Sequence, residues 1–236
     1  MFGISDDALL RLHAEVLFDI DQRGGLVRLN EPDGDPAPRL FLARGRTTTL
    51  AWYRADLPEA TVARCASIVA ELPPWDGREP TAAVHDPLRT ALGKDAPITE
   101  VAAGPAYRFS TGIVARTDVD AVLIDEASAE LLDGHFPYTR SVLAWRSPVV
   151  VVVRDGVAVS ACYCARKRAT AAEAGVATIG SFRGLGLATA VTAAWRRAVE
   201  RLGMTPLYST SWDNIASRRV AERLGLITYA DTFSLT

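Results

Sequence analysis

What this sequence lacks narrows its possible classes first. It has three cysteines in 236 residues. An odd number argues against a disulfide framework and fits a reducing compartment, so a cytoplasmic location is expected. Cys162 and Cys164 share one face if their segment is a strand, but without a matching distant pair they make a poor zinc site. Packing is their expected role, and no metal is expected. Neither sign of charge dominates: 26 Lys and Arg against 28 Asp and Glu leave a net charge of −2. With no global basic field, neither nucleic acid nor a membrane is an expected partner, and any phosphate must be held by a local site. Long apolar runs are missing too. The most continuous, residues 149–153, is far too short to span a bilayer. The opening MFGISDDALL has no basic stretch ahead of an apolar one, so no secretory signal is expected. Internal repeats and low-complexity tracts are also absent.

What is present is core material. Apolar residues make up 49% and charged ones 23%, enough for one large domain or two small ones. Leu9, Leu12, Val16 and Ile20 recur at helical spacing behind the cap candidates Ser5 and Asp6, which predicts a helix over residues 5–19 that Gly24-Gly25 stops. β-type runs follow at 26–29, 39–43 and 48–53, the first two separated by the turn-forming EPDGDPAP. Within that turn, Asp33-Gly34-Asp35 lacks the later ligands of a calcium loop and reads as solvated. Pro58 opens a second helix to residue 72, striped by Val62, Cys65, Ile68, Val69 and Leu72 and ended by Pro73-Pro74. A loop over 75–87 and a short helix over 88–92 follow.

The second half predicts a strand over 118–124 and a helix over 126–132, continuing toward 142. Strands over 149–153 and 157–165 are joined by Arg154-Asp155-Gly156, and Asp-Gly between β-branched runs signals a hairpin. After a strand over 174–179 comes a long helix, 187–202. Leu187, Val191, Trp195, Val199 and Leu202 give it an apolar stripe, and Gly203 stands at its C-terminal cap. A strand over 207–210, a helix over 214–224 ended by Gly225, and a strand over 227–233 finish the chain. Hairpins followed by β-α-β-α-β predict a mixed α/β sheet. The expected division is an N-terminal α+β region, 1–112, and a second domain, 113–236.

The informative segment is Arg183-Gly184-Leu185-Gly186-Leu187-Ala188, between a predicted strand and the long helix. Small residues there let the backbone turn sharply and approach a ligand. Converging N–H groups and the helix's positive end form a diphosphate cradle, with Arg183 adding charge. Other phosphate loops fit less well. A dinucleotide fingerprint needs a small residue where Thr189 stands, and a P-loop needs Gly-Lys-Ser/Thr, which is absent. A glycine turn that merely joins strand to helix is the bland alternative.

Arg183-x-x-Gly186-x-Ala188 resembles the Q/R-x-x-G-x-G/A signature of the GNAT superfamily of N-acetyltransferases. Asn214, Ser217, Val220 and Arg223-Leu224-Gly225-Leu226 resemble that superfamily's second motif, on the helix lining the coenzyme. The resemblance covers about half the chain, in the right order and spacing, and is closest to members carrying an extra N-terminal half. It implies a GNAT-like acetyltransferase core preceded by an N-terminal α+β accessory half. That half would shape an acceptor pocket or subunit interface, or be a decayed second copy of the fold. The implied activity is transfer of an acetyl group from acetyl-CoA to a primary amine, of a small molecule or peptide, by direct attack in a ternary complex. A homodimer stays open.

The residues implied to hold the coenzyme are Ala177, Thr178, Ile179, Arg183, Gly184, Leu185, Gly186, Leu187, Ala188, Asn214 and Ser217. The strand before the cradle, 175–179, is implied to carry a bulge whose N–H polarises the thioester carbonyl. The family's acid is a tyrosine at the position of Ala221, so another group is needed. Ser217, one turn earlier, and Tyr208 are candidates, with Ser209 and Ser211 nearby, and Glu173 is the candidate base. His135 reads as a packed or loop histidine. Arg166-Lys167-Arg168 could meet the coenzyme's 3′-phosphate but reads better as a solvated hairpin end. Trp195 reads as core, whereas Trp212 could pack on the coenzyme or close its strand. Two rivals remain: a degenerate acyl-CoA-binding sensor, suggested by Ala221, and a helix-turn-helix module over 216–226.

Overall fold

The computed structural model describes residues 5–110 and 119–236. The expected domain boundary at 112/113 and the first residue of the strand expected over 118–124 lie outside them. In chain order the elements are α1 (Asp6–Leu17), β1 (Phe18–Ile20), β2 (Leu26–Leu29), β3 (Leu40–Arg44), β4 (Thr49–Tyr53), α2 (Glu59–Ala70), α3 (Ala82–Gly93) and β5 (Val101–Arg108). There follow β6 (Val122–Ile124), α4 (Pro137–Ser141), α5 (Leu143–Arg146), β7 (Val149–Arg154), β8 (Val157–Lys167) and β9 (Ala171–Thr178). The last elements are α6 (Leu187–Arg201), β10 (Thr205–Ser209), α7 (Ile215–Arg223) and β11 (Ile227–Leu235). The chain divides into two units by its contacts: one runs to Tyr107 and takes in Ser209–Ile215 and Thr228–Thr236, the other comprises Arg108–Tyr208 and Ala216–Ile227.

In the first unit the strands lie in the order β4-β3-β11-β5, with β1 and β2 a separate hairpin. Ser5 caps α1 by accepting the Ala8 N–H at 3.3 Å, and Asp6 and Asp7 sit in its positive first turn. α3 begins six residues before the short helix expected at 88–92, and runs through Pro87. The proline costs the bond to the Ala83 carbonyl, while burial of His85, Leu88, Ala91 and Leu92 offsets the loss. Sequence periodicity misses β1, whose Phe18 and Asp19 fall at the end of the helix expected over 5–19, and β5, because Gly104-Pro105 reads as a breaker. Gly104 is there for contact: a Cβ on it would stand 1.7 Å from the Thr210 carbonyl oxygen. Leu40, Leu42, Cys65, Leu88, Leu92, Phe233 and Leu235 form this unit's core.

In the second unit the order is β10-β9-β8-β7-β6. β6 to β9 pair antiparallel and β10 pairs parallel to β9, which makes the sheet mixed as expected. The β7–β8 hairpin turns on Asp155 and Gly156, both at positive φ, 49° and 77°, the conformation a two-residue turn needs to match strand twist. α6 crosses one face, packing Leu187, Val191, Trp195 and Val199 on Val150, Val152, Cys162, Cys164 and Ala172. Leu202, expected on that stripe, is 63% exposed; the helix has already ended at Arg201. On the other face, Leu132 and Phe136 cover Val149, Val151 and Ala161. The single helix expected over 126–142 is broken into a 3-10 turn at Ala129–Leu132 and then α4 and α5, since Gly134 and the pair Phe136-Pro137 interrupt it.

Candidate functional site

The second unit gathers most of the candidate residues around the end of β9. On one side β9 stays paired with β8 from Ala172 to Thr178. On the other, its parallel ladder with β10 has the rungs Thr205↔Ala171, Pro206↔Ala172 and Leu207↔Glu173. Residues 174–178 therefore run on past the last rung, and one edge of the strand is released from that ladder. The bulge expected in 175–179 lies elsewhere. Those residues pair in step with Ser160 to Tyr163, and the extra residue is Ala165 of β8, between Cys164↔Ala174 and Arg166↔Glu173.

Beyond β9 the chain makes a 3-10 turn, Gly180–Phe182, then passes Gly184 and Gly186 at φ +80° and +76°. A Cβ at either glycine would meet nothing within 4 Å. The left-handed backbone conformation by itself demands glycine here. The first bond inside α6 runs from the Ala190 N–H to the Gly186 carbonyl at 3.2 Å. The N–H groups of Leu187, Ala188 and Thr189 thus precede the helix's own ladder. The first turn carries no carboxylate, so nothing there opposes an anion. Arg183 is exposed, and its Nε–H reaches back to the Thr178 carbonyl at 3.3 Å. Thr178 is fixed in turn by a 2.8 Å hydrogen bond between its hydroxyl and that of Ser160, while the Ile179 N–H donates to Val159. The strand end and the turn are thus tied together.

Residues 146–231 match the family model of the GNAT acetyltransferases. They form a GNAT acetyltransferase domain. One solved structure agrees on the fold, and others are similar to parts of the chain. A GCN5-related N-acetyltransferase-like protein from Streptococcus suis is 18% identical over 98% of this chain and 100% of its own, with a TM-score of 0.50. A GCN5-related N-acetyltransferase from Sphaerobacter thermophilus is 14% identical, covering 88% of this chain and 79% of its own, with a TM-score of 0.48. A GNAT-family protein from Novosphingobium aromaticivorans is 20% identical over 58% of this chain, with a TM-score of 0.48. This chain spans 65% of that protein's length, less than two thirds of it. No curated protein matches the sequence.

Within the GNAT domain, two of the catalytic candidates come together. The Tyr208 and Ser217 hydroxyls lie 2.6 Å apart, and the phenol also reaches the Ser217 carbonyl at 3.2 Å. Tyr208 is buried and Ser217 half-buried, so the serine is the pair's outlet to solvent. Glu173 is buried, 4% exposed, at the last rung before the β9 edge is released. Ala221 is fully buried and offers no proton. Asn214 is exposed and belongs to the first unit, immediately before α7.

The remaining candidates take bland roles. Burial pushes the Cys162 thiol well above its ordinary range and that of Cys164 up to about 11. Both stay protonated at neutral pH and serve as core, and among the described residues no cluster of three or more metal-ligating side chains occurs. Lys167 is committed to the carbonyls of Ala144 and Ser147, at 3.0 and 2.8 Å, which fixes the end of α5. Trp195 is fully buried, and His135 is exposed. α7 is followed directly by β11, so residues 216–226 are not a helix-turn-helix. Trp212 closes the pairing with β5, its backbone N–H donating to the Ala103 carbonyl at 3.1 Å, and its indole N–H donates to Asp231 at 2.9 Å. That buried aspartate, with Arg44 at 3.4 Å and His85 at 3.3 Å, is the cluster that sequence reasoning missed. Its one signal was an acid in the middle of the otherwise uncharged ITYADTFSL. Among the described residues no helix is long and apolar enough to cross a membrane.

Proposed function

We propose that the protein is an acetyl-CoA-dependent N-acetyltransferase that moves the acetyl group to a primary amine by direct attack in a ternary complex. The observation that carries this reading is the combination, within one unit, of a β9 edge released after Glu173 with the doubly left-handed glycine turn at the head of α6. In this reading the N–H groups of residues 184–188 hold the diphosphate, and Arg183 adds charge. The pantetheine arm lies along Ala177, Thr178 and Ile179 in the manner of an added strand. An N–H of the released edge polarises the thioester carbonyl, a role that needs no bulge once β10 has left the ladder. Asn214 is the further coenzyme contact that its motif assigns.

The amine nitrogen forms the new bond to the acetyl carbon, and the carbon–sulfur bond breaks. The proton lost by the amine passes toward Glu173, through solvent. The departing thiolate takes a proton from Ser217, which Tyr208 can resupply across their hydrogen bond. A coenzyme thiol with a pKa of roughly 8.5 leaves without strong acid help, so the absence of a tyrosine at Ala221 is compatible with turnover. That same buried Ala221 favours the second reading, a protein that binds acyl-CoA without turning it over.

Release of free coenzyme thiol separates the two. Acetyl-CoA is incubated with the protein and a panel comprising a polyamine, an amino acid, an aminoglycoside and a peptide with a free N-terminus. Thiol release that depends on one of these amines supports the transferase. Coenzyme binding with no release for any amine contradicts turnover and leaves the sensor.

A further inference from the structure

On the sheet face of the second unit that turns away from α6, two aromatic rings hold a guanidinium. Arg146 closes α5, which packs on that face through Leu143. Its Cζ lies 4.3 Å from the centre of the Tyr163 ring and 5.0 Å from that of Tyr138. Rings attract the cation through their faces, but they do not accept its N–H donors as a carboxylate would. The Arg146 Nε–H is buried and has no hydrogen-bond partner among the described residues. A buried donor left unmade costs about 1–3 kcal/mol. The arginine as a whole is half-buried and Tyr138 is exposed, so a small ligand can reach the guanidinium from solvent. Two ring contacts restrict its planar fork before any ligand arrives.

The place of this arginine gives the contact its meaning. Tyr163 of β8 pairs with Gly175 of β9, and its ring takes the space of a side chain at 175. A Cβ there would collide with Cε2 and stand 2.9 Å from Cδ2. Gly175 lies in the stretch of β9 that runs on past its last β10 rung, at Glu173. Strand alternation puts Glu173 on the same face as Gly175. Ala177 packs on that face too, whereas Ala174 and Val176 pack under α6. One ring thus spans from the guanidinium to the released edge of β9. An amine attacking a thioester at that edge, with its base at Glu173, has Arg146 about a ring's width away. A carboxylate on the same small molecule fits that separation, and the fork can donate to both of its oxygens. We infer that Arg146 binds the carboxylate of the acetyl acceptor, which is therefore a free amino acid rather than a polyamine or an aminoglycoside. The naming of an acceptor rests on the acetyl-transfer reading; the carboxylate contact does not.

The test titrates the full chain by calorimetry, with and without coenzyme A, against the common L-amino acids and the α-amide of each that binds. The amide keeps the amine and the side chain and loses only the carboxylate. The expected result is an amino acid that binds at least tenfold more tightly than its amide. The Arg146 Nε–H resonance, assigned by its loss in Arg146→Lys, should move with the acid and not with the amide. Arg146→Gln should weaken the acid at least tenfold and leave the amide unchanged. Where transfer occurs, it should raise KM for the acid with kcat little changed, whereas a merely structural arginine would move both ligands alike. If Arg146→Gln does not fold, Arg146→Lys, which keeps the charge but not the fork, should shift the affinities in the same direction. Carboxylate-dependent binding without acetyl transfer leaves this site standing and sinks the transferase. Transfer to amines regardless of their carboxylates does the reverse. No amino-acid binding at millimolar concentration in either arm, equal binding of acid and amide, or an unmoved Nε–H signal would each overturn the inference.

Discussion

Burial assigns the cysteines their part residue by residue. Cys164 is fully buried and donates its S–H to the Ser147 carbonyl at 3.4 Å. Its thiol is pushed up to about 11, chiefly by desolvation, against a partial lowering by Lys167. An unfolded thiol ionises near pH 8.5. Below that, folded and unfolded states are both protonated and the residue contributes in full. As the pH rises from there toward about 11, the unfolded state alone loses its proton, so stability falls. Cys162, raised further still by burial, acts in the same direction. Urea midpoints at pH 8 and pH 10 check this: wild type should lose more stability across that interval than Cys164→Ala. Equal losses would contradict it. Both buried thiols should also resist thiol reagents at pH 8 until urea opens the core.

The elements that sequence alone makes legible are those whose signal is local. The α6 stripe, the Asp155-Gly156 hairpin and the Ser5 cap each sit within a few residues, and each appears where periodicity or turn chemistry puts it. β5 is not legible, because its Gly104-Pro105 makes sense only against the Thr210 backbone that approaches it from more than 100 residues away. The cradle lies between these cases. Its glycine spacing is written in the sequence, whereas the end of the β9–β10 ladder at Glu173 is a property of two strands joined through α6. The structure adds a conformational reason for the glycines: both stand at left-handed φ. Gly184→Ala should therefore cost about 1–2 kcal/mol of stability through backbone strain alone. A urea titration showing no loss would contradict that assignment.

At the scale of the whole chain, the charged centre of the first unit is invisible to any window of sequence. Asp231 draws on Arg44 of β3, His85 of α3 and Trp212. Asp231→Ala would leave the Arg44 guanidinium buried without its carboxylate, a loss of about 3–5 kcal/mol, read as a lower urea midpoint. An unchanged midpoint would show that the cluster does not hold this unit together. The reading of the second unit as the catalytic one depends on a single physical claim: the turn between β9 and α6 holds the coenzyme's diphosphate. The measurement that tests it most directly is a calorimetric titration of the full chain with acetyl-CoA, wild type against Gly186→Trp. The account predicts micromolar binding by wild type and its loss in the variant, with both proteins folded by circular dichroism. No binding by folded wild type, or equal binding by the two, would contradict it.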